Sequence, residues 1–199
     1  MKSPITAYIG LGSNQGNRIE HLQNAVDLIF ERTGTVKKIS GIYETPALGF
    51  EGDDFLNACI SIETRFSAEK VLAQLLEIEK DLGRKRISND YENRTLDLDL
   101  LFYGDAIIDS ENLTLPHPRL TQRKFVLEPL AEIAPKFIHP ISKNSIQKLL
   151  SNTSDTSEIK RSSQTLNIPE FSFQNLSYLA IEGNIGAGKT SLATMISQD

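Results

Sequence analysis

Asp97 and Asp99 stand two residues apart in the segment Arg94-Thr95-Leu96-Asp97-Leu98-Asp99-Leu100-Leu101-Phe102-Tyr103. Its alternation of polar and apolar residues predicts a half-buried β-strand, in which residues two apart share a face. Leu96, Leu98, Leu100 and Phe102 are expected to face a core, with Asp97 and Asp99 side by side on the opposite face. Adjacent carboxylates repel unless a cation lies between them, and oxygen ligands suit a hard ion such as Mg2+. Arg84, Arg86 and Arg94, with Lys85 among them, lie just upstream. Acid beside base in this way matches a magnesium-bound polyphosphate, whose metal and oxyanions need opposite charges. The competing reading is a solvated strand face beside a charged loop.

The elements that must position these residues follow from periodicity. Residues 5–11 alternate like a strand that ends in the Gly10-Leu11-Gly12-Ser13-Asn14 turn. Ile19, Leu22, Val26 and Ile29 recur at helical spacing, with Gly34 closing that helix. Val36, Ile39 and Ile42 mark an extended stretch. Leu56, Ala58, Ile60 and Ile62 alternate with Asn57, Cys59, Ser61 and Glu63 as a second clear strand. Ser67 is placed to cap a helix carrying Val71, Leu72, Leu75 and Ile78, and Gly83 to stop it. A short helix is expected over about 121–133. The order β-α-β-β-α-β is that of a ferredoxin-like α+β sandwich. The helices are expected on one sheet face, with Asn57, Asp97 and Asp99 sharing the other.

Six motifs occur in order along this framework. They are Tyr8-Ile9-Gly10-Leu11-Gly12-Ser13-Asn14, Tyr43-Glu44-Thr45-Pro46-Ala47-Leu48-Gly49, Phe55-Leu56-Asn57-Ala58, Gly83-Arg84-Lys85-Arg86, Arg94-Thr95-Leu96-Asp97-Leu98-Asp99 and Pro116-His117-Pro118-Arg119. In this set the chain closely resembles the 6-hydroxymethyl-7,8-dihydropterin pyrophosphokinases of folate biosynthesis, over about three quarters of its length. The resemblance implies transfer of pyrophosphate from the cosubstrate ATP to the pterin hydroxymethyl oxygen, releasing AMP, with two Mg2+ ions.

It also implies roles for residues. Asp97 and Asp99 match metal ligands, and Asp97 is a candidate base. Arg84 and Arg94 match arginines that meet the triphosphate, since guanidinium forks fit phosphate oxygens and stay charged. Arg86, Arg123, Thr114, His117 and Glu79 match or border the ATP site. The rival readings are loop solvation for Arg86 and Arg123, a surface carboxylate for Glu79 and a structural imidazole for His117. Phe55 and Phe125 match a stacking pair for the pterin, Asn57 the amide that reads its edge, and Thr45, Pro46 and Leu48 the bordering loop. The residue types alone would put both phenylalanines in a core. Residues 83–93 are expected to form a mobile lid, in which Tyr91 stands where some relatives have Trp.

Around residue 151 the composition changes. Ser, Thr, Asn and Asp dominate, so 1–150 is expected as the catalytic domain and 151–175 as a flexible linker. Residues 176–199 hold a strand-like run followed by Gly183-Asn184-Ile185-Gly186-Ala187-Gly188-Lys189-Thr190. That is the G-x-x-x-x-G-K-[ST] phosphate loop, and it resembles the opening of the deoxynucleoside kinases. Gly183 and Gly188 would let backbone N–H groups wrap a phosphate, Lys189 would reach it, and Thr190 would meet the magnesium. The chain ends at Asp199, whereas such a domain needs on the order of 100 further residues. This unit is therefore expected to be truncated and inactive by itself.

Composition bounds the remaining choices. With 21 basic and 26 acidic residues in 199, net charge is −5, and no extended basic face supports nucleic-acid binding. The single Cys59 excludes an internal disulfide and a multi-cysteine zinc site. No apolar run approaches the roughly 20 residues of a membrane span, and a cytoplasmic, monomeric first domain is expected. Three functions stay in competition: the pyrophosphokinase, a nucleoside kinase in a longer parent, and a non-catalytic pterin- or nucleotide-binding module.

Overall fold

Strand β1 (Ile5–Ser13) is the strand around which the sheet is assembled, antiparallel to β5 on one side and β4 on the other. The structure, a computed structural model, describes residues 3–46, 53–84 and 94–170. Leu48, Arg86, Tyr91, Gly183, Gly188, Lys189 and Thr190 lie outside them, as does most of the expected lid.

After β1 come α1 (Arg18–Arg32), β2 (Thr35–Ile39), β3 (Tyr43–Thr45), β4 (Phe55–Thr64), α2 (Ala68–Asp81) and β5 (Asp97–Tyr103). The chain then forms the small β6 (Ile108–Asp109) and β7 (Thr114–Leu115) hairpin, a 3-10 turn at Leu120–Gln122, α3 (Lys124–Ile133), α4 (Ile146–Asn152) and β8 (Lys160–Arg161). The sheet order is β5-β1-β4-β3-β8, with β2 also paired to β4. The expected β-α-β-β-α-β order is present, its second strand divided into β2 and β3. The result is an α+β domain with an antiparallel sheet.

Capping sets the helix boundaries. The Asn17 side chain accepts the Glu20 N–H at the start of α1, and Ser67 Oγ accepts the Lys70 N–H at the start of α2. Leu22, Ala25, Val26 and Ile29 of α1 and Val71, Leu75 and Ile78 of α2 are buried at helical spacing against one sheet face. At the end of α2, Gly83 takes φ +89°, its N–H donates to Lys80 O, and the Arg84 N–H donates to Glu79 O. This left-handed cap turns the chain so that Arg84 comes back beside Glu79.

Two expectations about faces are corrected. Helices do not keep to one face, because α3 and α4 pack on the other with Cys59, Leu101 and Phe102. Phe102 does not continue the Leu96-Leu98-Leu100 row. Tyr8 pairs with Phe102 while Ile9 pairs with Leu100, so Leu101 is an extra residue at a bulge. One inserted residue shifts the period-two alternation. Phe102 consequently joins Tyr8 and Phe137 in the second core, its ring 4.8 Å from that of Phe137.

The expected flexible linker is also corrected, as far as residue 170. The first compact unit runs to Pro169. Residues 151 and 152 end α4, β8 pairs with β3, and Leu166 is buried in the first core. The polar composition misleads here because the segment is held by polar side chains and backbone groups as well as by Leu166.

Candidate active site

On the face shared with α3, β1 presents Gly10 and Gly12 between the side chains of its two neighbours. Gly10 pairs with Asp99 and Cys59, and Gly12 with Asp97 and Asn57. A Cβ at Gly12 would lie 3.4 Å from Asn57 Oδ1, 3.8 Å from Asp97 Cβ and 3.9 Å from Phe55 Cδ1. Gly12 leaves its part of the floor without a side chain, between Asp97 and Asn57, while the Leu101 side chain lies 3.6 Å from where a Cβ at Gly10 would be. Above it is a cavity of about 700 Å³. Its lining includes every described candidate from the sequence: Thr45, Pro46, Phe55, Asn57, Glu79, Arg84, Arg94, Asp97, Asp99, Thr114, His117, Arg123 and Phe125.

The arginines are held by carboxylates. Asp97 Oδ1 is 2.8 Å from Arg84 and Asp97 Oδ2 accepts a 2.8 Å hydrogen bond from Arg94. Glu79 also pairs with Arg84 and accepts the Leu98 N–H at 2.8 Å. It is 2% exposed, so the surface reading of Glu79 is excluded. Its carboxylate lies under the arginine cluster and ties it to the outer edge of β5.

Asp99 is placed differently. Among the described residues its nearest charged partners are His117 Nε2 and Arg123, each 3.9 Å away. Burial, and then the neighbouring Asp97, push the Asp99 carboxyl above the usual range, against the pull of His117, Arg123 and Arg94. Burial pushes the His117 imidazole below its usual value, with Asp99 opposing and Arg123 and Arg119 adding to the effect. His117 Nδ1 accepts the Arg119 N–H at 3.3 Å, which leaves Nε2 to carry the proton of the neutral ring. The His117 N–H donates to Leu101 O at 3.0 Å, and the preceding Leu115–Pro116 peptide is cis.

Also lining the cavity, Asn57 Nδ2 donates to Thr45 Oγ1 at 2.8 Å, both residues being buried. The Arg123 guanidinium lies 5.6 Å from the centre of the Phe125 ring. Cys59 lines the floor, but burial pushes its thiol pKa upward, which suits packing rather than nucleophilic work.

Sequence reasoning missed two features. The Gly-x-Gly spacing of Gly10 and Gly12 at period two was the available signal for the floor that β1 forms. Ser13 and Asn14 brace the segment that carries Arg94. Asn14 Oδ1 accepts the Arg94 N–H at 2.6 Å, the Asn14 N–H donates to Arg94 O at 3.1 Å, and Ser13 Oγ donates to Thr95 O at 2.6 Å. The partners lie some 80 residues apart, and no local pattern announces them.

Paired aspartates beside clustered arginines in one cavity have the charges suited to a magnesium-bound polyphosphate. The family described as 7,8-dihydro-6-hydroxymethylpterin-pyrophosphokinase matches residues 8–135. The chain is 40% identical over 158 residues to the 2-amino-4-hydroxy-6-hydroxymethyldihydropteridine pyrophosphokinase of Haemophilus influenzae, covering 78% of this chain and 98% of that one. It is 41% identical over 140 residues to the folic acid synthesis protein fol1 of Pneumocystis carinii, covering 70% of this chain but only 19% of that one. Among solved structures, a Plasmodium falciparum HPPK-DHPS with STZ-DHP superposes with a TM-score of 0.63 at 16% identity. That match covers 74% of this chain and 43% of the other, and shows the shared fold. The chain belongs to the 7,8-dihydro-6-hydroxymethylpterin-pyrophosphokinase family.

Proposed function

We propose that this chain transfers a pyrophosphoryl group from ATP to the hydroxymethyl oxygen of 6-hydroxymethyl-7,8-dihydropterin. The oxygen attacks the β-phosphorus, the bond from that phosphorus to the bridging oxygen breaks, and AMP departs with the bridging oxygen. The observation that carries this reading is the presence of two chemistries in one cavity. Arg84, Arg94, Asp97, Asp99, His117 and Arg123 line it together with Thr45, Asn57, Phe55 and Phe125.

The residues fit magnesium. Asp97 and Asp99 offer only hard oxygen donors, and no group of three or more metal-ligating side chains occurs among the described residues. Magnesium is suited to one or two carboxylates with the remaining positions filled by water and phosphate. When bound, two such ions supply charge neutralisation at the attacking and leaving oxygens. Arg84 and Arg94, held on Asp97 in the free protein, are positioned to grip the triphosphate. Asp97 has both oxygens on guanidinium groups at 2.8 Å, whereas the nearest partners of Asp99 among the described residues are 3.9 Å away. Each Asp97 oxygen keeps a second lone pair, so both aspartates can serve a metal ion, and Asp99 is the less encumbered acceptor for a departing proton. Asn57, held by Thr45, keeps its carbonyl to read the donor edge of a pterin, and the aromatic rings supply stacking faces.

The test is AMP release from ATP and Mg2+, with and without 6-hydroxymethyl-7,8-dihydropterin, for the full chain and Asp97→Ala. Pterin-dependent AMP that disappears in the variant supports the assignment. Pterin binding with no AMP would leave a binding module in its place. ADP formed on a nucleoside would transfer the activity to residues 183–190, for which the phosphate-loop pattern is the sole support. No helix among the described residues is long and apolar enough to cross a membrane, and we place the reaction in the cytoplasm.

A further inference from the structure

Helix α3 begins with Lys124, directly after its N-cap residue Arg123, and carries Phe125 in its first turn, so its start brings two cavity-lining side chains together. It has no cap of its own, because Arg123 occupies the N-cap position without a side-chain hydrogen bond and no acidic residue lies in the first turn. The missing acceptor comes from beyond the residues matched by the family. Asp155 Oδ2 accepts the Lys124 N–H at 2.7 Å, and Lys124 Nζ donates to Ser157 O at 3.2 Å. Asp155 Oδ1 in turn accepts the Ser157 N–H at 2.9 Å, together with the Ser157 hydroxyl.

The same segment then reaches a second cavity-lining element. Lys160 and Arg161 pair with Glu44 and Tyr43 of β3, and the Ser162 N–H donates to Ile42 O at 2.8 Å. Arg161 donates to Glu132 Oε1 at 2.7 Å, while Glu132 Oε2 accepts from Gly41 N–H and Tyr43 OH, each at 2.9 Å. Strand β3 ends in Thr45, the partner of Asn57. We infer that residues 153–162 are a strap that fixes two cavity-lining elements, the start of α3 and strand β3, with Asp155 as the positioning residue for Arg123 and Phe125. This rests on the function proposed above. A carboxylate at a helix start satisfies an orphan N–H and complements the helix dipole. Its loss frees the turn that aims both side chains, so it acts on ligand affinity as well as on stability.

The experiment uses the full chain with Asp155→Ala and Asp155→Asn. Dissociation constants for 6-hydroxymethyl-7,8-dihydropterin are measured with Mg2+ and a non-hydrolysable ATP analogue, beside a thermal melt of each protein. Asp155→Ala is expected to weaken pterin binding about tenfold. Asp155→Asn keeps one acceptor for Lys124 but turns an N–H2 donor toward Ser157, and is expected to weaken binding about threefold. Wild-type affinity in Asp155→Ala, accompanied by a lower melting temperature, would make Asp155 a structural cap only and overturn the inference. Should Asp155→Ala fail to fold, wild-type affinity in Asp155→Asn overturns it equally. A wild-type chain that binds no pterin would instead overturn the function on which the inference depends.

Discussion

The Leu98 N–H donates to Glu79 Oε1 at 2.8 Å, joining an outward-facing group of edge strand β5 to a buried carboxylate on α2. The same carboxylate pairs with Arg84, whose guanidinium also meets Asp97. One buried acid therefore sets the position of the strand that carries both aspartates and of one arginine above them. Removing this buried carboxylate leaves the Leu98 N–H without its acceptor and Arg84 with Asp97 alone. Glu79→Ala is expected to lower unfolding free energy by about 3 kcal/mol, read from urea denaturation at unchanged m-value. Glu79→Gln keeps an acceptor for Leu98 and should lose less stability while raising the KM for ATP. Wild-type stability in Glu79→Ala would remove Glu79 from this role.

On the proposed function, Arg94 meets the triphosphate and not the pterin. Its backbone is fixed by Asn14 and its guanidinium by Asp97. Arg94→Ala is expected to reduce kcat by about 100-fold or more, as for other groups that stabilise developing charge, with pterin affinity unchanged. Steady-state kinetics and calorimetric pterin titration separate the two. An unchanged kcat would take Arg94 out of the mechanism.

Asp99 links the site to stability through pH. Its carboxyl is raised in the folded protein by burial and by Asp97. The folded state therefore holds that proton more tightly than the unfolded chain does. Stability is lost as pH rises from the unfolded value, about 3.9, through the higher folded one. In the absence of metal, Asp99→Asn should melt above the wild type at pH 7, and the difference should close near about pH 3. The same variant should lose the stabilisation that Mg2+ and ATP give the wild type by mass action. A variant that melts below the wild type at pH 7 would contradict this account.

Gly12 is required for space rather than for backbone conformation. A methyl group there would sit 3.4 Å from Asn57 Oδ1 and would enter the floor of the cavity. Gly12→Ala is expected to weaken pterin binding by about tenfold, equivalent to roughly 1.4 kcal/mol, with a smaller effect on unfolding. Gly12→Val should abolish binding. Pterin titration of both variants checks the order, and equal affinity in Gly12→Val would show that the ring does not approach β1.

Much of this protein is legible in the linear sequence, and the legible part is local. Helices α1 and α2, the cap at Ser67 and the stop at Gly83 follow from spacings of three, four and seven residues and from capping chemistry. The placement of Asp97 beside Asp99 follows from the period of a strand. The motif set named residues that the fold brings around one cavity although they are far apart in the chain.

Contacts between distant segments carry no such local signature, and these the tertiary structure alone decided. The bulge at Leu101 moved Phe102 into the second core because pairing with β1, not the residue types, sets the phase after an insertion. Glu79 is a buried anchor because the unpaired edge of β5 happens to lie over α2. Residues 153–167 read as a polar linker, yet Asp155 caps α3, β8 extends the sheet at β3, and Asn167 bonds Gln23. A polar segment acquires order when a folded surface offers unsatisfied backbone groups, and only the assembled domain shows where they are.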